Sequence, residues 1–348
     1  MADTFKNKIK RLELENFTCF GKVAMDFSSG INVFIGENGT GKTHLLKVLY
    51  HFVDRVESEN LWDVFKVEKI SSLIRNSNFN ATGKIYWNNH ERYFEIDSRL
   101  LDDQYSHIGE WKAQNSNTKI AEPVFLPSQE MISWFKGFIS AYENRESYID
   151  ETYYRLAKAL ASLSLKGESL KRQEPLYKEL EEAIKGKVIR KGDDFFIEFF
   201  DEQKEFQAPI VATGINKLAQ LIYLIMNGSL TKDTILFWDE PEANLNPKYI
   251  LVVAKFLQTL ANAGCQIFVA THDYLLPYEL SLSKEYADVA EGKVPDMKFF
   301  ALYKGEDGTK VEEGATMPDL SHDAIHEGLR QHQSREDRLF QKSLNANT

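Results

Sequence analysis

The chain has 348 residues, 43% hydrophobic and 27% charged, with a formal net charge of −10. That length suits one large or two small domains whose core needs no covalent staples. The acidic balance argues against a broadly basic nucleic-acid binder and against a membrane-surface protein.

The only two cysteines, Cys19 and Cys265, belong to no CxxC or CxxH pair, which argues against zinc and against a disulfide framework. Cys265 opens an apolar run and is expected as a small buried residue. The N-terminus has no signal-peptide apolar stretch, and no run of about 18 apolar residues occurs, so a cytoplasmic chain without a membrane span is expected.

In chain order, residues 8–17 alternate charged and apolar side chains and predict a strand, with 23–27 as its partner. Residues 31–35 form a short apolar run of the kind buried on both faces. A glycine-rich loop covers 36–41. Helical spacing of Leu45, Leu46, Leu49, Tyr50 and Phe52 follows over 43–53. A hairpin is expected over 81–96, turning at Asn88 and Asn89, then an apolar strand at 123–126. Helical patterns fill 129–185, with Gly186 as the stop. Residues 187–190 and 195–200 predict a second hairpin around Gly192 and Asp193. A helix is expected over 215–226, buried strands at 234–238 and 266–270, and a helix over 249–262 between them. Residues 298–303 are expected as the last strand, followed by a helix from about 321 and a polar tail over 331–348. There is no internal repeat, no low-complexity block and no sustained heptad series. The expected division is 1–127, 128–206, 207–330 and the tail.

The sharpest motif is GENGTGKT, residues 36–43, which fits G-x-x-x-x-G-K-[ST] in full. Gly39 and Gly41 free the backbone so that successive N–H groups can cradle phosphates, and the following helix presents its positive end. Lys42 is expected to reach the β and γ oxygens of ATP, and Thr43 to hold Mg²⁺. Asn38, Thr40 and His44 complete the expected nucleotide contacts. In TILFWDEPEANLNP, residues 234–247, a buried strand delivers Asp239 to Mg²⁺ and Glu240 to an attacking water as general base; the alternative is an exposed acidic turn. In QIFVATHDY, residues 266–274, a third strand ends at His272, placed to contact a γ-phosphate. A lone histidine is more often structural, but its order after the other two motifs favours the site.

That order resembles ABC-type ATPase heads. The opening IKRLELENFTCFGKVAMDFSSGINVFIGENGTGKT is similar to heads of the RecF, SMC and OLD group. GKTHLLKVLYHF and VFLPSQEM resemble the OLD-like branch of bacterial AAA-type ATPases. The resemblance covers roughly residues 8–55, 121–135 and 205–305. It implies an α/β P-loop NTPase fold: an ABC-type head with a mixed sheet core, an N-terminal antiparallel β subdomain and a small helical lobe. It also implies that Gln129 is the Q-loop residue facing Mg²⁺, with a surface glutamine as the alternative. Residues 211–215 would be the signature, with Thr213 and Gly214 completing the site of a second subunit. Ala212 departs from the usual serine. Asn246 would lie in the D-loop, or simply start the next helix.

By the same resemblance, two heads form a homodimer or higher oligomer around ATP and Mg²⁺. The segment after His272 carries no Asp-x-Asp pair and is too short for the Toprim nuclease domain of OLD proteins. The expected role is therefore an ATPase subunit that controls a separate effector, a nuclease or toxin, in antiphage defence. The alternative is a RecF-like DNA-repair head that clamps duplex DNA, with the lysine-rich segment 166–172 lining a groove.

Overall fold

The computed structural model describes residues 8–53, 64–87, 90–98, 123–144, 149–202, 204–289 and 292–322, with 334, 335 and 338. The expected turn at Asn88 and Asn89, nearly all of the helix expected beyond 321 and most of the polar tail lie outside these residues.

The first third contains β1 (Ile9–Phe17), β2 (Phe20–Asp26), β3 (Ile31–Gly36), α1 (Lys42–Val53), β4 (Ala81–Trp87), β5 (His90–Ile96) and β6 (Val124–Leu126). Next come α2 (Phe138–Asn144), α3 (Glu151–Ala161), α4 (Glu168–Ile184), β7 (Gly186–Lys191), β8 (Asp194–Phe199) and β9 (Lys204–Gln207). The last part holds α5 (Thr213–Met226), β10 (Ile235–Asp239), α6 (Ile250–Ala263), β11 (Gln266–Thr271), α7 (Leu275–Glu285), β12 (Met297–Gly305) and β13 (Gly308–Gly314).

Ten strands form one mixed sheet in the order β5-β4-β1-β2-β13-β12-β3-β11-β10-β6. The stretch from β12 to β6 is parallel, and β5-β4-β1-β2 is antiparallel. The N-terminal antiparallel strands are continuous with the core sheet through β13, which pairs with β12 and touches β2.

Alternation along each parallel strand divides the core in two. Val33, Trp238, Val269 and Phe299 face a cluster that includes Leu160, Leu180, Leu221 and Leu257 from α3, α4, α5 and α6. Phe34, Phe237, Phe268 and Phe300 face the opposite way, onto Leu46 and Leu49 of α1 and the antiparallel strands. Full burial of each such side chain contributes about 1.5–3 kcal/mol. Both faces are covered, so the strands read as unbroken apolar runs. Cys265 is fully buried, and burial pushes its thiol up to about 12.

Four expectations needed correction. Residues 129–137 are turns, not helix: Glu130 accepts from the Ser133 N–H at 3.1 Å, and the Trp134 indole donates to the Glu130 carbonyl. Such local bonds compete with helix formation. Lys185, left-handed at φ 53°, ends α4, and Gly186 opens β7. The second hairpin gains a third strand, β9, too short and polar to show a pattern. Finally, β12 is followed by β13 rather than being last, and α7 follows β11. The sequence of β13, GTKVEEG, is polar because much of it is only half-buried. In α7, Pro277 sits in the first turn, where helices tolerate it.

Candidate nucleotide site

Parallel pairing brings four strand ends to one edge. Ile35 lies opposite Thr271, Ala270 opposite Asp239, and Trp238 opposite Leu126. The 36–43 loop, the 127–129 segment, the 239–242 turn and His272 therefore leave the sheet side by side. This is the edge at which open α/β sheets place ligands.

The loop is braced from within. The Thr40 hydroxyl donates to the Glu37 carbonyl at 2.8 Å. The Lys42 ammonium donates to the carbonyls of Gly36 at 2.7 Å and Glu37 at 2.9 Å. Burial lowers the Lys42 pKa, against the attraction of Asp239 and Glu240. Gly41 has φ 92°, and a Cβ there would lie 2.3 Å from Cys19 Sγ, so the β1–β2 turn leaves room only for glycine. Asn38 and Gly39 are exposed on the crest. The His44 ring packs edge-on against Phe65, its Nδ1 is buried without a partner, and burial lowers its pKa.

The Thr43 hydroxyl donates to Asp239 Oδ2 at 2.9 Å. Burial raises the Asp239 carboxyl to about 6, although the Thr43 bond works against that shift. Its Oδ1 is buried with no hydrogen-bond partner. A hydroxyl and a carboxylate with one unsatisfied oxygen are hard donors of the kind Mg²⁺ takes, so these residues fit that ion.

Glu240 occupies a left-handed conformation, φ 48°, and its N–H donates to the Ala270 carbonyl at 2.8 Å. His272 Nδ1 lies 3.1 Å from Glu240 Oε1. The turn rests on Lys217 of α5, whose ammonium donates to the Glu240 carbonyl at 2.6 Å and the Ala243 carbonyl at 3.1 Å. Lys217 is 2% exposed, and burial lowers its pKa to about 8. The sequence reading missed it. A lysine inside the apolar run INKLAQLIYLIM was the available signal, because a buried charge is placed only where it is paired or hydrogen-bonded.

Gln129 is exposed and lines a depression with Trp134, Asp150 and Tyr153. Lys47 of α1 pairs with Asp150 at 2.9 Å, and Asp150 caps α3 through the Thr152 N–H. The helix that follows the loop is thus tied to the helical segment beside Gln129.

The signature residues sit apart in character. Ala212 is the N-cap of α5 without a side-chain cap bond, and Thr213 is exposed. Gly214 is buried, and a Cβ there would lie 2.7 Å from the Asn244 carbonyl. Asn246 accepts from the Lys248 N–H at 3.1 Å and so starts the turn that leads into α6.

Comparison with known proteins bears on the family and the fold. Residues 8–153 match the family described as AAA ATPase domain. Residues 97–276, just over half of the chain, match the family described as AAA domain, putative AbiEii toxin, Type IV TA system. The DNA replication and repair protein RecF of Streptococcus uberis is 52% identical over 42 residues, 12% of this chain and 12% of that protein. RecF of Streptococcus pyogenes serotype M5 is 36% identical over 77 residues, 22% and 20% respectively. The chain thus aligns with less than a quarter of the length of these curated relatives. The Smc head bound to the C-winged helix domain of ScpA superposes with a TM-score of 0.55 at 15% identity, over 89% of this chain and 98% of that one. The Smc head with an extended coiled coil, bound to the C-terminal domain of ScpA derived from Pyrococcus furiosus, gives 0.53 at 14% identity, over 93% and 99%. At such identities the likeness is one of fold. The chain has an SMC-head-like P-loop fold, and it belongs to the family described as AAA domain, putative AbiEii toxin, Type IV TA system.

Proposed function

We propose that this chain binds ATP with Mg²⁺ on the 36–43 loop, hydrolyses it, and uses the nucleotide to close a head-to-head dimer that controls a separate effector. The observation that carries the reading is the contact between Thr43 and Asp239, with the Glu240–His272 pair at the adjacent strand ends. The backbone N–H groups of Asn38 to Thr43 bind phosphate oxygens, and Lys42 shifts from loop carbonyls to the β and γ oxygens. Thr43 and Asp239 would hold Mg²⁺, with Gln129 as a further oxygen ligand. Held there, the ion would supply charge neutralisation for the phosphates. Glu240 takes the proton of the attacking water, and His272 contacts the γ-phosphate. Thr213 and Gly214 of a second copy complete the site, and Asn246 lies at the interface. In this reading 1–127 and 207–330 are the two halves of the head, 128–206 is a lobe, and the protein acts in the cytoplasm. No described helix is long and apolar enough to cross a membrane.

The family description names a putative toxin of a Type IV TA system, so a toxin is the class of effector to look for first. The test is Mg²⁺-dependent phosphate release by the purified chain, with Lys42→Ala as control, and co-purification of a partner chain from its native host. Absence of turnover in the wild type, or normal ATP binding by Lys42→Ala, would remove the reading. The similarity to RecF favours a second reading, an ATP-dependent clamp on duplex DNA. ATP-dependent duplex binding that weakens steeply with salt would favour it over effector control.

A further inference from the structure

Glu242 is the carboxylate of the 239–242 turn to which the ATPase reading gives no task. Its side chain is 9% exposed, against 32% for Glu240. Its Oε1 accepts from the Thr271 hydroxyl at 2.7 Å and from the His272 main-chain N–H at 3.4 Å, while Oε2 is buried with no partner. The same Oε1 lies 3.8 Å from His272 Nδ1, whereas Glu240 Oε1 lies 3.1 Å from it. One ring nitrogen therefore faces two carboxylates, one within hydrogen-bond range and the other just beyond it.

A carboxylate that accepts a hydrogen bond is a weaker base. In the ATPase reading Glu240 turns from the imidazole to the attacking water. The released Nδ1–H has Glu242 Oε1 as its second carboxylate acceptor, 3.8 Å away. Glu242 stands where a small ring movement reaches it, and it is already fixed by the hydroxyl of Thr271.

We propose that Glu242 is a positioning residue for hydrolysis: it anchors the Thr271–His272 main chain and accepts the His272 Nδ1–H when Glu240 turns to water. The inference rests on the ATPase reading above. Holding Nδ1–H fixes the orientation of the ring and so the direction in which Nε2 points.

The experiment has two arms on the full chain. Side-chain ¹⁵N NMR of histidine-labelled protein reports the His272 tautomer without any turnover. Glu240→Ala is expected to keep the Nδ1–H form, held by Glu242, and Glu240→Ala/Glu242→Ala to lose it. In single-turnover assays with Mg²⁺ and ATP, Glu242→Gln is expected to keep ATP affinity and melting temperature but lose about tenfold or more in rate, with Glu242→Asp partly restoring it. Loss of the tautomer in Glu240→Ala alone would overturn the proposal, as would Glu242→Gln turning over within about twofold of wild type. A wild type with the expected tautomers but no hydrolysis would instead remove the ATPase reading and leave the hold of Glu242 on His272 standing.

Discussion

Thr43 and Asp239 are separated by 196 positions in the chain, yet the hydroxyl of one donates to the carboxylate of the other at 2.9 Å. The two come from different strand–loop units, so the bond closes the floor of the site across the sheet edge. Among the described residues it is also the only hydrogen bond offered to this buried carboxylate, whose second oxygen has none. Thr43→Val should therefore cost about 1–3 kcal/mol in urea unfolding of the nucleotide-free protein. The same variant should need more Mg²⁺ for half-maximal turnover. An unchanged Mg²⁺ requirement would separate Thr43 from the metal.

Glu240→Gln keeps the shape of the turn but removes the proposed base. Turnover is expected to fall on the order of 10²-fold or more, with ATP affinity retained. The ATP-bound dimer should then persist and be visible by light scattering. If Glu240→Gln hydrolyses ATP at the wild-type rate, another group is the base.

Lys217 supports a pH experiment. Its folded pKa, about 8, lies below its ordinary value of 10.5 because burial disfavours the ammonium. Between those values the unfolded chain binds more protons than the folded one, so this contribution to stability rises with pH. The energetic cost of the buried charge is fully present below pH 8 and is relieved as the pH climbs to 10.5. The difference in unfolding free energy between wild type and Lys217→Met should accordingly shift toward the wild type by roughly 3 kcal/mol across that window. At neutral pH the variant should also turn over more slowly, because the carbonyls of Glu240 and Ala243 lose their donor. A pH-independent difference would mean that the ammonium is not desolvated.

Ala212 begins α5 without a side-chain cap. Ala212→Ser supplies an oxygen for the exposed first-turn N–H groups and should raise stability by about 1 kcal/mol, read as a higher melting temperature. In the Glu240→Gln background it should also tighten ATP-driven association. No change in either measurement would argue against the assignment of 211–215 as a signature.

Gly214 leaves no room for a methyl group against the Asn244 carbonyl. Gly214→Ala should destabilise the chain by about 1–3 kcal/mol through displacement of the 244–246 segment. If it melts as the wild type does, that contact is looser than the packing implies.

Much of the site was legible because its motifs are local. The loop at 36–43 must reverse the chain between a strand and a helix while baring N–H groups, and glycine is the residue that permits it. Asp239, Glu240 and His272 stood out because ionisable side chains follow apolar runs. Lys217 and Glu242 did not, since their roles depend on partners 23 to 29 positions away. The 129–137 segment was misread for a related reason: its apolar residues are spaced as in a helix, but Glu130 captures the backbone and indole donors locally.

The sequence by itself determined that a phosphate-binding loop sits between a buried strand and a helix, since backbone conformation and hydrophobic period are written residue by residue. Only the tertiary structure decided which carboxylate meets Thr43, which ones share His272, and which lysine holds their turn. Those contacts follow from the parallel register of β10, β11 and β3, and register is fixed by how whole strands bury both faces at once.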